Sequence, residues 1–184
     1  MSCAIRQTLN NNTYLHQGDL PNKSILLEKI FNTLIDSFIE SEVGIVNNFL
    51  SVQLAKNLRN NLLRLYENQL MFIAGTGNEK LVVHNTNVRN DRIHWLDRKH
   101  HDVHENAFFD VMDRFIVHLN RTCYTGITDY EFHYTIYESG SFYKKHIDQF
   151  QQNGKSVFFK SNQLAHEVLH TNAPRMSITG WLRI

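Results

Sequence analysis

Residues 130–148 read YEFHYTIYESGSFYKKHID, and the period of this stretch decides the fold. Phe132, Tyr134 and Ile136 fall on one side while His133, Thr135 and Tyr137 fall on the other, which is the alternation of a β-strand with two different faces. On the C-terminal side, residues 156–160, 166–171 and 176–183 keep the extended texture. On the N-terminal side the period changes. Leu26, Leu27, Ile30, Phe31, Leu34, Ile35 and Phe38 recur at helical spacing after Ser24, read as an N-cap. Residues 44–50 form a short extended piece, and Ser51 caps a second helix with Leu54, Ala55, Leu58, Leu62 and Leu65 in one stripe. A third helix, about 105–120, presents Phe108, Met112, Phe115, Ile116 and Leu119. Such stripes are core faces rather than cofactor pockets. Helices first and strands afterwards make an α+β chain, with helices packed on a β-sandwich or barrel.

The bulk numbers narrow the class of protein. The chain has 184 residues, enough for one domain with a real core. Residues 1–22, rich in Asn, Thr and Gln and without periodicity, read as a flexible N-terminal arm. The single domain spans 23–184, with helical support over 23–120 and strands over 130–184. A formal charge of +1 gives no global field toward nucleic acid or an anionic membrane. Cys3 and Cys123 are too few for a disulfide framework, and no apolar run approaches the roughly 20 residues of a membrane span. The opening residues lack the apolar stretch of a secretory signal. These features predict a cytoplasmic protein with neither nucleic acid nor membrane as partner.

Chemistry concentrates near the strands. His146 and Asp148, two apart on a strand, share a face and can reach one metal ion. Eleven histidines make chance matches common, and His100 with Asp102 supplies a second such pair. That second pair lies in a charged run, RKHHDVH over 98–104, which reads as a solvated loop. A zinc site built from His100, His101 and His104 lacks a complete ligand set. The residues C-terminal to His146 and Asp148 separate the two pairs. His166 opens another extended segment, and two His with one carboxylate and open positions form the facial arrangement of non-haem Fe(II) oxygenases. Arg175, Ser177 and Thr179 then share a face, and a guanidinium beside a hydroxyl is a receptor for a carboxylate.

At this point the sequence resembles a known family. Residues 137–148, YESGSFYKKHID, resemble the strand that delivers H-x-D in prolyl-4-hydroxylase-type 2-oxoglutarate dioxygenases. HEV at 166–168, followed nine residues on by RMSITGW at 175–181, is similar to their distal-His strand and co-substrate strand. GIVNNFL at 44–50 and VRNDRIHW at 88–95 resemble the opening segment and the R-x-D-x-I-x-W element of the hypoxia-type prolyl hydroxylases and their bacterial counterparts. The likeness runs from about residue 44 to 184.

That resemblance implies a double-stranded β-helix, or jelly-roll, core flanked by N-terminal helices. It implies His146, Asp148 and His166 as Fe(II) ligands at the catalytic centre, and Arg175 as the partner of the distal carboxylate of 2-oxoglutarate, with Tyr137 and Thr179 bonded to the same carboxylate. Arg89, Asp91 and Trp95 would lie beside the substrate groove, unless Trp95 is buried and Arg89 with Asp91 is an ion pair ordering its loop. The implied cofactors are Fe(II), 2-oxoglutarate and O2, with ascorbate as an optional addition. The implied reaction hydroxylates a prolyl residue of a partner protein and yields succinate and CO2. The same chemistry on a small molecule or another side chain, or a catalytically silent binding module, would fit the same motifs.

One interval departs from the family. Only seventeen residues lie between Asp148 and His166, where relatives place about four further strands, and four strands with turns need at least about 30 residues. Part of the barrel is therefore expected to be missing. A hairpin at Asn153-Gly154 would pair His146 with Ser161 and His166 with Ser141, leaving the two imidazoles roughly 17 Å apart along the strand. The hairpin and a shared metal exclude each other, which favours an absent insert near residues 149–154 or else a true deletion.

Overall fold

The computed structural model describes residues 2–8, 23–75, 83–146, 155–160 and 165–184. Along the chain these form β1 (Ser2–Thr8), α1 (Lys23–Ser41), β2 (Val43–Asn47), α2 (Val52–Glu67), β3 (Phe72–Ile73), β4 (Arg92–Trp95), α3 (Val103–Cys123), β5 (Asp129–Tyr137), β6 (Tyr143–His146), β7 (Lys155–Lys160), β8 (His166–Val168) and β9 (Arg175–Arg183). The strands make a seven-stranded sheet, in the order β2-β7-β1-β9-β5-β4-β3, and a two-stranded sheet of β6 and β8. Among the described residues every strand pairing is antiparallel, and the two sheets do not close into a barrel. None of the described helices is long and apolar enough to cross a membrane.

The helices start where local chemistry satisfies their first amides. Ser51 accepts a hydrogen bond from the Leu54 amide at the head of α2, as its sequence position predicts. Asp102 takes the amides of His104 and Glu105 at the head of α3. Ser24 differs from its expected role: α1 begins at Lys23, so Ser24 lies within the first turn rather than at the cap.

The alternation of β5 sorts its two faces. Phe132, Tyr134 and Ile136, with Ile178 and Leu182 of β9, are buried against the helices. Phe132 meets Phe108 of α3 edge-on at 5.0 Å, and Phe115 of α3 meets Phe31 of α1 at 5.0 Å. Burial of these apolar faces is the main force holding helices to sheet.

Two expectations need correction. Residues 2–8, placed within a flexible arm, form β1 in the middle of the large sheet, paired with β9 on one side and β7 on the other. An extended segment lacking amphipathic period is still held when both its edges find backbone partners. The interval after Asp148 likewise needs no absent insert to bring the histidines together. Residues 155–160 do not pair back onto β6. They cross to the large sheet as β7, between β1 and β2, and the chain then returns to the small sheet as β8. His166 thereby stands opposite His146, not opposite Ser141. Asn153 and Gly154 lie outside the described residues.

Gly180 of β9 is directly opposite Phe132, and a Cβ there would run into the Phe132 ring and the Glu131 carbonyl. Gly180→Ala should therefore lower the unfolding free energy by about 1–3 kcal/mol, the usual cost of overpacking, measured by urea denaturation.

Candidate active site

The site is carried by one two-stranded ribbon. Residues of β5 pair with β9 from Asp129 opposite Arg183 to Tyr137 opposite Arg175. Beyond that rung both chains turn, and the turns are bonded to each other: the Gly140 amide donates to the Thr171 carbonyl at 2.6 Å, and the Thr171 amide to the Ser141 carbonyl at 3.0 Å. The Thr171 hydroxyl also donates to the Glu138 carbonyl at 2.5 Å. The same two chains then pair again as β6 and β8, with an irregularity between Tyr143 and His146, and His146 opposite His166. His146 lies nine positions after Tyr137, and Arg175 nine positions after His166. The intervals on the two chains are equal, so beyond the irregularity His146 and His166 return to the register of Tyr137 and Arg175. Opposite residues in an antiparallel ladder have Cα atoms about 4.5–5.5 Å apart.

The face of β5 and β9 turned away from the helices is polar and buried. Its rungs are Tyr137 with Arg175, Thr135 with Ser177, and His133 with Thr179. Tyr137, Thr135, Ser177, His133 and Thr179 are all buried. The Arg175 guanidinium carbon lies 5.8 Å from the centre of the Tyr137 ring, and its two terminal nitrogens are shut off from solvent. The Thr179 hydroxyl is buried with no hydrogen-bond partner among the described residues. A buried hydroxyl without a partner is costly, so such a face suits a polar ligand better than an apolar core. His166 is buried too, with Phe159 of β7 edge-on to its ring at 5.4 Å.

Of the other expected metal ligands, Asp148 lies outside the described residues, and His146 is described here by its place in the ladder. No group of three potential ligand side chains converges among the described residues, which do not include Asp148. Arg89 and Asp91 bond to each other in two places, Nε to Oδ1 at 2.7 Å and Nη2 to Oδ2 at 2.5 Å, with Asp91 fully buried. Burial alone would push Arg89 down, but these bonds and the charge of Asp91 carry it above the ordinary arginine value. Arg89 also lies over the Tyr143 ring at 4.3 Å, so the pair braces β6 just before His146. Trp95, for which burial was the alternative, is 40% exposed and meets His133 edge-on at 5.0 Å.

The competing pair dissolves into helix capping. Asp102 caps α3 and accepts the Asn61 amide at 2.7 Å, while His100 pairs with Glu105. Partial burial raises the Asp102 carboxyl, but bonds from the Glu105 and His104 amides and from Asn61 prevail and hold it below the usual aspartate range. The sequence reading overlooked His133 and Thr135 as members of the site. Their signal was present: they share the alternating face that ends in Tyr137.

The architecture defines a class, a helix-backed antiparallel sheet whose buried polar strand face continues into a rung of two histidines. Solved structures similar to this chain include prolyl hydroxylases. A Pseudomonas putida prolyl-4-hydroxylase superposes with a TM-score of 0.74 at 22% identity, over 84% of this chain and 100% of its own. A Trichoplax adhaerens prolyl hydroxylase, solved in complex with a hypoxia inducible factor oxygen degradation domain peptide fragment, gives 0.72 at 19% identity, over 88% of this chain and 93% of its own. The viral collagen prolyl hydroxylase of Paramecium Bursaria Chlorella virus-1 gives 0.51 at 13% identity, over 78% of this chain and 96% of its own. No protein-family profile matches the sequence, and no curated protein matches it by sequence. The chain thus has a fold like that of the prolyl hydroxylases.

Asp91→Ala should destabilise the protein by about 3–5 kcal/mol, because it strands a buried guanidinium, and Arg89→Met combined with Asp91→Leu should recover most of that loss in urea melts. Asp102→Ala should cost about 1 kcal/mol at neutral pH through the lost cap. A carboxyl held low in the folded state contributes stability above its unfolded value and loses it as pH falls through the folded one, so this cost should shrink below about pH 4 in denaturation at graded pH.

Proposed function

We propose that the protein is an Fe(II)- and 2-oxoglutarate-dependent dioxygenase with a jelly-roll core that hydroxylates a prolyl residue in a protein substrate. The observation that carries this reading is the ribbon register, which sets His146 opposite His166 nine residues beyond the rung of Tyr137 and Arg175. The donor set fits the groups it would hold. Two imidazoles from opposed strands, with Asp148 two residues after His146, make a facial ligand set for Fe(II) with positions left open. Arg175 would bind the distal carboxylate of 2-oxoglutarate, and the orphaned Thr179 hydroxyl and the Tyr137 phenol would complete its hydrogen bonds.

When bound, iron and 2-oxoglutarate supply an oxidation in which O2 is consumed, a substrate C–H becomes C–OH, and succinate and CO2 leave. The chain's own part is placement. Arg175 and Tyr137, held by their shared rung, orient the co-substrate from one end, while the histidine rung fixes the metal end. Phe159 against His166 excludes water from that side. Trp95, 40% exposed, and Trp181, with ring centres 6.4 Å apart, offer aromatic surface to an incoming chain. The fold neighbour solved with a peptide supports a protein substrate, and the motif likeness supports proline as the target.

Purified protein supplied with Fe(II), ascorbate, 2-oxoglutarate and proline-containing peptides should form succinate in step with peptide hydroxylation. His146→Ala, Asp148→Ala and His166→Ala should abolish turnover, and Arg175→Met should weaken 2-oxoglutarate binding by about tenfold or more. Undiminished turnover in His146→Ala would refute the assignment. Metal and 2-oxoglutarate binding without turnover would make the protein a silent module of this fold.

A further inference from the structure

The ladder that places His146 is not regular. Tyr143 pairs with Val168 and His146 with His166, three positions along β6 against two along β8. The additional residue on β6 is what sets the two histidines opposite each other: continued evenly from Tyr143 and Val168, the ladder would bring Lys145 opposite His166 instead. A partner strand of only three residues holds such a bulge weakly, so its place has to be fixed from the other edge of β6.

That other edge is occupied. The Lys144 amide donates to the Val88 carbonyl at 2.9 Å, the Phe142 amide donates to Asn90 Oδ1 at 2.9 Å, and Arg89 forms a backbone bridge with Tyr143. The Arg89 guanidinium lies over the Tyr143 ring and is held at Nε and Nη2 by Asp91. Its Nη1 donates to the Gly75 carbonyl at 3.3 Å, and the Ala74 amide donates to the Asp91 carbonyl at 2.9 Å, so the pair is anchored to the chain just after β3. Asp91 is fully buried and Arg89 nearly so. Two charges at that depth add little net stability over apolar side chains of similar size. What a two-point ion pair adds is a fixed direction.

We infer that Arg89 and Asp91 are positioning residues for the metal end of the site: bonded to each other and to the chain after β3, they hold Tyr143 and so keep the bulge of β6 where His146 meets His166. This rests on the dioxygenase reading for the metal, and it replaces the groove role that the sequence resemblance implies for the pair.

The test compares three variants with the unmodified protein in Co(II) binding, followed by calorimetry and by the visible absorption of the bound ion, and in backbone hydrogen exchange of the metal-free protein. Arg89→Met combined with Asp91→Leu should unfold in urea near the unmodified midpoint, yet bind Co(II) about ten- to a hundredfold more weakly, the usual cost of losing groups that orient metal ligands. Its Lys144 amide should exchange faster while the amides of α3 stay as protected as before. Arg89→Lys keeps the charge without the two-point bond and should fall between the two. Asp102→Ala, whose loss is that of a helix cap, should bind Co(II) like the unmodified protein. The proposal is overturned if the double variant, or Arg89→Lys should the double variant not fold, binds Co(II) as tightly as the unmodified protein with the same absorption. It is overturned equally if affinity falls without faster exchange at Lys144. Either result leaves the dioxygenase reading standing, whereas no Co(II) binding by the unmodified protein brings both down.

Discussion

The antiparallel pairing of residues 129–137 with residues 175–183 is taken up again, beyond an irregularity between Tyr143 and His146, in the rung of His146 and His166, and the rest of the structure is arranged around it. Backbone hydrogen bonds fix opposite residues to within a fraction of a residue, far tighter than side-chain packing could. A slip of β9 by one residue would turn Arg175, Ser177 and Thr179 toward the helices and Ile178 and Leu182 toward the polar face. The bonded turns around Gly140 and Thr171 matter for the same reason. They let the ribbon leave the large sheet with its two chains still side by side, so the rung of Tyr137 and Arg175 and the rung of the two histidines belong to one construction.

Each face of the ribbon enforces the other. The apolar face is anchored by aromatic contact with α3, through Phe108 against Phe132, and Gly180 lets the Phe132 ring approach β9 closely. That contact fixes which residues point the opposite way. On the opposite face, burying hydroxyls, an imidazole and a guanidinium together costs stability unless they bond to one another or to something bound. The helices supply the burial that makes this cost tolerable, which is why so small a polar site needs so much scaffold behind it.

Much of this was legible in the sequence, for reasons specific to the residues. Alternation in residues 130–137 and the nine-residue step from His166 to Arg175 are local, and local patterns survive without knowledge of the partner strand. Ser51 and the apolar stripes of the helices were readable on the same ground. The route from β6 to β8 was not. An Asn-Gly pair between extended segments argues for a hairpin, and only the place beside β1 in the large sheet explains why 155–160 goes there instead. His133 was passed over because a histidine on a strand carries no spacing signal of its own; its meaning comes from Thr179 across the ladder and from two tryptophans distant in sequence. The second H-x-D match was read as part of a solvated loop, whereas its Asp102 is the cap of α3.

The position of β1 has a consequence for how the molecule is made. Ser2 pairs with Arg183, so the strand that covers the second edge of β9 joins it across nearly the whole length of the described chain. Closing so long a loop is entropically demanding, and sheets dominated by distant pairings form slowly. Until it closes, β9 shows a bare row of amides and carbonyls along the strand that bears Arg175, Ser177 and Thr179. Such an edge is a template for any other extended chain, including a second copy of this one. The segment with the least distinctive sequence in the protein therefore guards its most chemically loaded strand against mispairing during assembly.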